Sequence, residues 1–188
     1  MPPKNILVLC TGNSCRSQLL HGYLQRFLGE KAHVYSAGVE VHGLNPRAVR
    51  VMAEDGVDIS QHTSNHVEEY AQVPFDYVLT VCDHDNEVCP VFPSSAQKLH
   101  HNFPDPAKAT GSEEEIMSQF RHVRDQVKQY VQDFAKASFL SSATIKKRRP
   151  VARAAFLVPK PQLTALGVMQ ASTAWRRVPF PRHGLPLR

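Results

Sequence analysis

The chain has 188 residues, 42% of them hydrophobic, and a net charge of +5, which suits one domain with an appendage. An apolar stretch at residues 6–10 is too short for a secretory signal, and no run approaches the roughly eighteen apolar residues of a membrane helix. The charge is split: residues 1–137 carry 12 Lys and Arg against 17 Asp and Glu, a net −5, whereas residues 138–188 carry 10 Lys and Arg and no acid, a net +10.

In chain order, residues 4–10 (Lys-Asn-Ile-Leu-Val-Leu-Cys) form a continuous aliphatic run, the habit of a strand buried on both faces of a parallel sheet. A polar loop follows at residues 11–14. Paired apolar residues at Leu19/Leu20, Tyr23/Leu24 and Phe27/Leu28 then predict a helix that stops at Gly29. Residues 34–38 are a short strand. Asn45-Pro46 starts a second helix, with Val49, Met52 and Ala53 inward and Gly56 as its stop. Residues 75–82 form a strong strand and 97–103 a weaker one, ended by Pro104-Asp105-Pro106. Ser112-Glu-Glu-Glu115 is a capping box for a long helix. That helix has Ile116, Phe120, Val123, Val127, Tyr130, Val131 and Phe134 on one face. The alternation predicts an α/β domain over residues 1–137 with a parallel sheet. Residues 138–188 hold 6 of the 14 prolines, a Lys146-Lys-Arg-Arg149 cluster and no sustained period. They read as a solvated, largely disordered basic tail, either a genuine extension or translation past a lost stop codon.

Three groups of residues carry chemistry. The first is Cys10-Thr11-Gly12-Asn13-Ser14-Cys15-Arg16-Ser17, between the first strand and the first helix. A strand-to-helix turn directs backbone N–H groups inward and the helix N-terminus adds partial positive charge, so the loop can cradle a tetrahedral oxyanion. Gly12 permits the positive φ such a turn needs, and Asn13 tolerates it. Cys10 sits at the bottom of the cradle as nucleophile. The same dipoles favour its thiolate, so its pKa is expected at roughly 3.5–7.5. Arg16 offers a planar fork to two oxygens of the anion, and Ser17 offers the thiolate a hydrogen bond. Cys15 packs behind the loop without a catalytic assignment. The plainer alternative is a buried cysteine after a strand, beside a helix-start arginine.

The second group is Cys82-Asp-His84-Asp-Asn-Glu-Val-Cys89. Cys82 ends a strand as Cys10 does, so both lie on the C-terminal edge of the sheet, where ligand crevices form. Three thiols suggest a relay in which one attacks substrate, a second attacks the first, and a third receives the disulfide. Zinc held by Cys82, His84 and Cys89, or two unrelated structural cysteines, are the alternatives. The third group is Asp105 between two prolines, a carboxyl group able to protonate a leaving oxygen, or simply a turn former. Four cysteines without an export signal indicate a reducing, cytoplasmic setting.

Residues 10–18 (through Gln18), the Cys82/Cys89 pair and Asp105-Pro106 resemble the thioredoxin-coupled arsenate reductases, which share the low-molecular-weight protein tyrosine phosphatase fold. Tyr35-Ser-Ala-Gly38, His42-Gly-Leu-Asn-Pro46 and residues 59–64 add to the likeness, which runs from about residue 5 to about residue 134. The resemblance implies a four-stranded parallel sheet flanked by helices. It also implies that Cys10 attacks arsenate held by the loop amides of residues 11–17 and by Arg16, while Asp105 donates a proton. Cys82 then attacks the Cys10 sulfur, arsenite leaves, and Cys89 takes Cys82 into a Cys82–Cys89 disulfide reduced by thioredoxin. No bound cofactor or metal is implied, and phosphate or sulfate would compete with arsenate. Some relatives bind potassium through Asn13, Ser36 and two acidic side chains. His21 and Asn65 stand at the acidic positions here, which speaks against potassium stimulation. A monomer without nucleic-acid or membrane partners is expected. The alternatives are a low-molecular-weight tyrosine phosphatase and a non-enzymatic oxyanion or redox sensor. Against the phosphatase stand Gln18 and Ala107, where such enzymes usually carry Pro and an aromatic residue.

Overall fold

The structure, a computed structural model, describes residues 2–82 and 92–140, with the backbone alone at Leu140. His84, Cys89, the Lys146–Arg149 cluster and the tail from residue 141 lie outside the described residues. Four strands, β1 (Lys4–Cys10), β2 (Ala32–Gly38), β3 (Tyr77–Thr80) and β4 (Gln97–His100), form one sheet in the order β2-β1-β3-β4. Every pairing is parallel. The helices are α1 (Arg16–Leu28), α2 (Pro46–Glu54) and α3 (Glu113–Ala135).

Strand ends differ from the sequence reading for identifiable reasons. β2 begins two residues early, because Ala32 and His33 pair with Lys4 and Asn5 of β1. β3 is shorter than its apolar run. Phe75 packs against the Tyr35 and Phe92 rings rather than joining a ladder, although Val81 N–H still donates to Leu9 O (3.0 Å). β4 ends at His100, after which His101 N–H donates to Thr80 O (3.0 Å) and the chain turns toward the two prolines.

Alternation along β1 splits the core in two. Ile6 and Val8, with Leu79 and Val81, face the cluster built by α1, α2 and α3. Leu7 and Leu9, with Val78, face a smaller cluster closed by Phe75, Phe92 and partly buried Tyr35, Val67 and Tyr70. Asn45 caps α2 by accepting from Arg47 and Ala48 N–H. The phase set there turns Ala48, Val51 and Met52 inward and leaves Ala53 exposed, which corrects its predicted inward placement. The capping box at Ser112 forms as predicted, and α3 buries Met117 together with Phe120, Val123, Val127, Val131 and Phe134 of the predicted stripe, whereas Ile116 and Tyr130 are only partly buried. A π turn, Lys136–Leu140, continues α3. Its Phe139 ring lies 5.9 Å from Phe134 and 6.2 Å from Tyr77, so packing reaches past residue 137. No helix among the described residues is long and apolar enough to cross a membrane.

Candidate active site

β1 and β3 run parallel as neighbours, so Cys10 and Cys82 come off the same edge of the sheet. Burying polar groups is costly unless they are hydrogen-bonded. All five buried polar or charged side chains among the described residues, Asn13, Arg16, Ser17, Gln18 and Ser36, lie in the loop after β1 or against it.

The loop is held from outside by its carbonyl groups. Thr11 O accepts from Glu40 N–H (2.9 Å), Gly12 O from His42 N–H (3.1 Å), and Ser14 O from Asn45 N–H (3.0 Å). In a trans peptide the N–H points opposite to the C=O, so the amides of Gly12, Asn13 and Cys15 turn inward. Asn13 N–H reaches Cys10 Sγ at 3.1 Å. The positive φ falls on Asn13 (43°) and not on Gly12, which corrects the role expected for that glycine. Gly12 instead makes room for the His42 ring, which a Cβ there would strike. Gly38, at the end of β2, lies so close that a Cβ would come 2.5 Å from Thr11 O and 2.6 Å from Glu40 O.

Asn13 accepts the strained conformation because its side chain is anchored. Its Nδ2 donates to Ser36 O (2.9 Å), and its Oδ1 accepts from Ser17 Oγ (3.0 Å) and Gln18 Nε2 (2.9 Å). Ser17 Oγ also lies 2.9 Å from Cys10 Sγ. With Cys10 as a thiol, S–H donates to Ser17 and the hydroxyl proton goes to Asn13. With Cys10 as thiolate, the hydroxyl proton turns to sulfur.

Burial pushes the Cys10 thiol up from its ordinary pKa. Ser17, the Asn13 N–H and the Arg16 charge pull it down without prevailing. The expected fall is therefore not met in the empty loop, because withdrawing sulfur from water outweighs those donors. Burial pushes the Cys15 thiol, at the start of α1, up as well, and Asp105 adds to it.

Arg16 is buried. Its Nη2 donates to Asp105 Oδ2 (3.2 Å) and its Nη1 to Phe103 O (3.4 Å). Asp105 is fixed in turn by Ala107 N–H on Oδ1 (3.0 Å). Arg16, Asp105 and Ala107 share a cavity of about 250 Å³ with Cys10, Gly12, His42 and Lys108. That is room for a tetrahedral oxyanion and a few waters, each of which takes about 30 Å³ in the liquid. Cys82 is buried and disulfide-bonded, whereas Cys10 and Cys15 are free. The zinc alternative also rests on His84 and Cys89, which lie outside the described residues.

The potassium positions do not fit that ion. Asn65 Oδ1 accepts from Thr63 and its Nδ2 donates to Glu69, and His21 Nδ1 is bonded to Ser36 Oγ (2.9 Å). Neither brings negative charge, and no group of three His, Cys, Asp or Glu among the described residues is placed to hold a metal.

Residues 5–150 match the family model of low molecular weight phosphotyrosine protein phosphatases. The chain belongs to that family. Relatives of this phosphatase-type chain include the arsenate reductase of Halalkalibacterium halodurans, 46% identical over 72% of this chain and 98% of the relative. The arsenate reductase of Bacillus subtilis (strain 168) is 44% identical over the same shares. Among solved structures, an arsenate reductase in the phosphate binding state matches with a TM-score of 0.60 at 29% identity, over 71% of this chain and 98% of that one. Gln18, Ser36 and His62 belong to the loop's support, a contribution that spacing in the sequence does not disclose. The one signal for Gln18 is its place directly after the Cys10–Ser17 segment.

Proposed function

We propose that this chain reduces arsenate to arsenite with electrons from its own thiols and is recycled by thioredoxin. The observation that carries the reading is a loop built for a tetrahedral anion, with Cys10 at its base, beside a second cysteine, Cys82, that enters a disulfide. The relatives named arsenate reductase support it, since the chain spans nearly their whole length.

Arsenate enters against the inward amides, and Arg16 exchanges Asp105 for two anion oxygens. Asp105, released and taking up a proton, stands over the leaving oxygen. Cys10 thiolate attacks arsenic, an As–O bond breaks, and the Asp105 proton leaves with that oxygen as water. Cys82 sulfur then attacks Cys10 sulfur. The S–As bond breaks with its electron pair staying on arsenic, which falls from As(V) to As(III) and departs as arsenite. Cys89 attacks Cys82, returns Cys10 to the thiolate, and leaves a Cys82–Cys89 disulfide for the dithiol of thioredoxin. The bonded state of Cys82 beside free Cys10 and Cys15 supports this terminal pair.

Arsenate-dependent NADPH consumption with thioredoxin and thioredoxin reductase tests the reading. Turnover is expected with the wild type, none with Cys10→Ser, and at most one turnover with Cys89→Ser. No arsenate-dependent NADPH loss with thioredoxin or with glutaredoxin overturns it, and sustained cycling by Cys89→Ser overturns the three-cysteine relay.

A further inference from the structure

Asn13 is the residue on which the loop turns, and it is held by two arms. One runs from its Nδ2 to Ser36 O (2.9 Å), and Ser36 Oγ is hydrogen-bonded to His21 Nδ1 (2.9 Å). The other runs through Gln18, whose Nε2 donates to Asn13 O (3.0 Å), Asn13 Oδ1 (2.9 Å) and Thr63 O (3.0 Å). All three partners are acceptors, so the Gln18 amide has one orientation, with Oε1 facing His62 Nδ1 at 3.1 Å. His62 must therefore carry its proton on Nδ1. The arms meet because the His21 and His62 rings lie against each other, centroids 4.4 Å apart and tilted by 32°. Asn13, Gln18, His62, His21 and Ser36 thus close a ring around the back of the loop.

We propose that His21 and His62 are positioning residues for the oxyanion loop. Packed together, they hold Ser36 and Gln18, and through these Asn13, so that the Asn13 amide stays on Cys10. The proposal rests on the reading of this loop as the arsenate site.

The brace works only with uncharged rings. His21 Nε2 is buried without a hydrogen-bond partner, so a second proton there would find no acceptor and would set a cation against the His62 ring. Burial, with His62 adding to it, lowers His21 to about 3. Burial also lowers His62, against the pull of Asp58, the charged group that faces it. Ser36 and Gln18 are uncharged, and neutral His62 with its proton on Nδ1 offers only a lone pair at Nε2, so the exposed Gln25 amide must present its N–H rather than its oxygen across that 3.2 Å contact. As pH falls, His62 takes a proton first, which sets a charge against the buried His21 ring at the point where both arms end.

The test uses the full reduced protein and sulfate, which stays a dianion over the whole pH range, with binding measured by calorimetry at pH 7.5 and 5.5. At pH 7.5, His62→Leu strands the Gln18 carbonyl, and sulfate affinity is expected to fall about tenfold. His62→Gln, whose amide can donate to the same oxygen, should restore most of it. The wild type should lose more affinity on going to pH 5.5 than His62→Gln, which has no ring to protonate. Alkylation rates of Cys10 across pH give a second readout, with the thiol pKa moved up in His62→Leu and restored in His62→Gln. Equal pH dependence in wild type and His62→Gln overturns the proposal, and this comparison stands even if His62→Leu fails to fold. So does a folded His62→Leu that binds sulfate as the wild type does. The ordering of variants with sulfate, together with no turnover of arsenate, would overturn the arsenate reading and leave the brace intact.

Discussion

At the scale of single residues the site turns on one hydroxyl proton. Ser17 lies between Cys10 Sγ and Asn13 Oδ1 and can donate to one of them at a time. It is the largest of the influences that oppose burial at Cys10. Ser17→Ala leaves burial unopposed by that donor, so the Cys10 thiol rises further. The thiolate is the attacking form, so a higher pKa leaves less of it at neutral pH. The acid limb of kcat/KM for arsenate should move to higher pH, with a loss of about tenfold at pH 7 that narrows as pH rises. A uniform loss at every pH would mean that Ser17 shapes the loop without touching the thiolate. Stability should also fall by about 1 kcal/mol, because the buried hydroxyl is bonded to both Cys10 Sγ and Asn13 Oδ1.

At the scale of elements, the loop is formed where β1, β2 and α1 meet, and the tightest contact is at Gly38. A Cβ there meets two backbone carbonyl oxygens, which cannot swing away as a flexible side chain would. Gly38→Ala should push β2 from the loop, free Thr11 O from Glu40 N–H and weaken sulfate binding. Overpacking of this kind costs about 1–3 kcal/mol of stability, readable in a urea midpoint. Retention of both affinity and midpoint would show that the loop tolerates displacement of β2. This contact also marks the limit of what the sequence discloses. The runs at β1 and α1, the cap at Asn45 and the capping box at Ser112 are local, so their residues announce them. The Cys10–Ser17 loop is legible for the same reason, being one continuous segment between a strand and a helix. Support from Ser36 and Gly38 depends on what the parallel β2–β1 register places behind the loop, and that from His62 on how the segment after α2 packs against Gln18 and Gln25 of α1, and no spacing rule encodes either. The raised pKa of the Cys10 thiol is hidden on the same account. The donors around sulfur are legible, but the depth of their burial is a property of the packed fold.

At the scale of the whole molecule, the sequence splits into a part of net charge −5 over residues 1–137 and a part of net charge +10 over residues 138–188. The 136 residues matched to the Halalkalibacterium halodurans reductase make up 98% of that protein, so an arsenate reductase of this family has little chain beyond the matched stretch. Here packing continues to Phe139, whose ring meets Tyr77 at the start of β3 and Phe134 near the end of α3. β3 leads directly to Cys82, so this aromatic cluster braces the strand that carries the second thiol. A chain ending at residue 137 loses the Phe139 ring and should unfold about 1–2 kcal/mol more easily, the scale for removing a partly buried aromatic side chain. A chain ending at residue 140 keeps the ring and should match the full chain in urea midpoint and in thioredoxin-coupled turnover. If the two truncations are equally stable, Phe139 contributes nothing to the fold. If the chain ending at residue 140 loses turnover while keeping its midpoint, the +10 segment acts in the reaction, and its charge would then have to be counted as part of the enzyme.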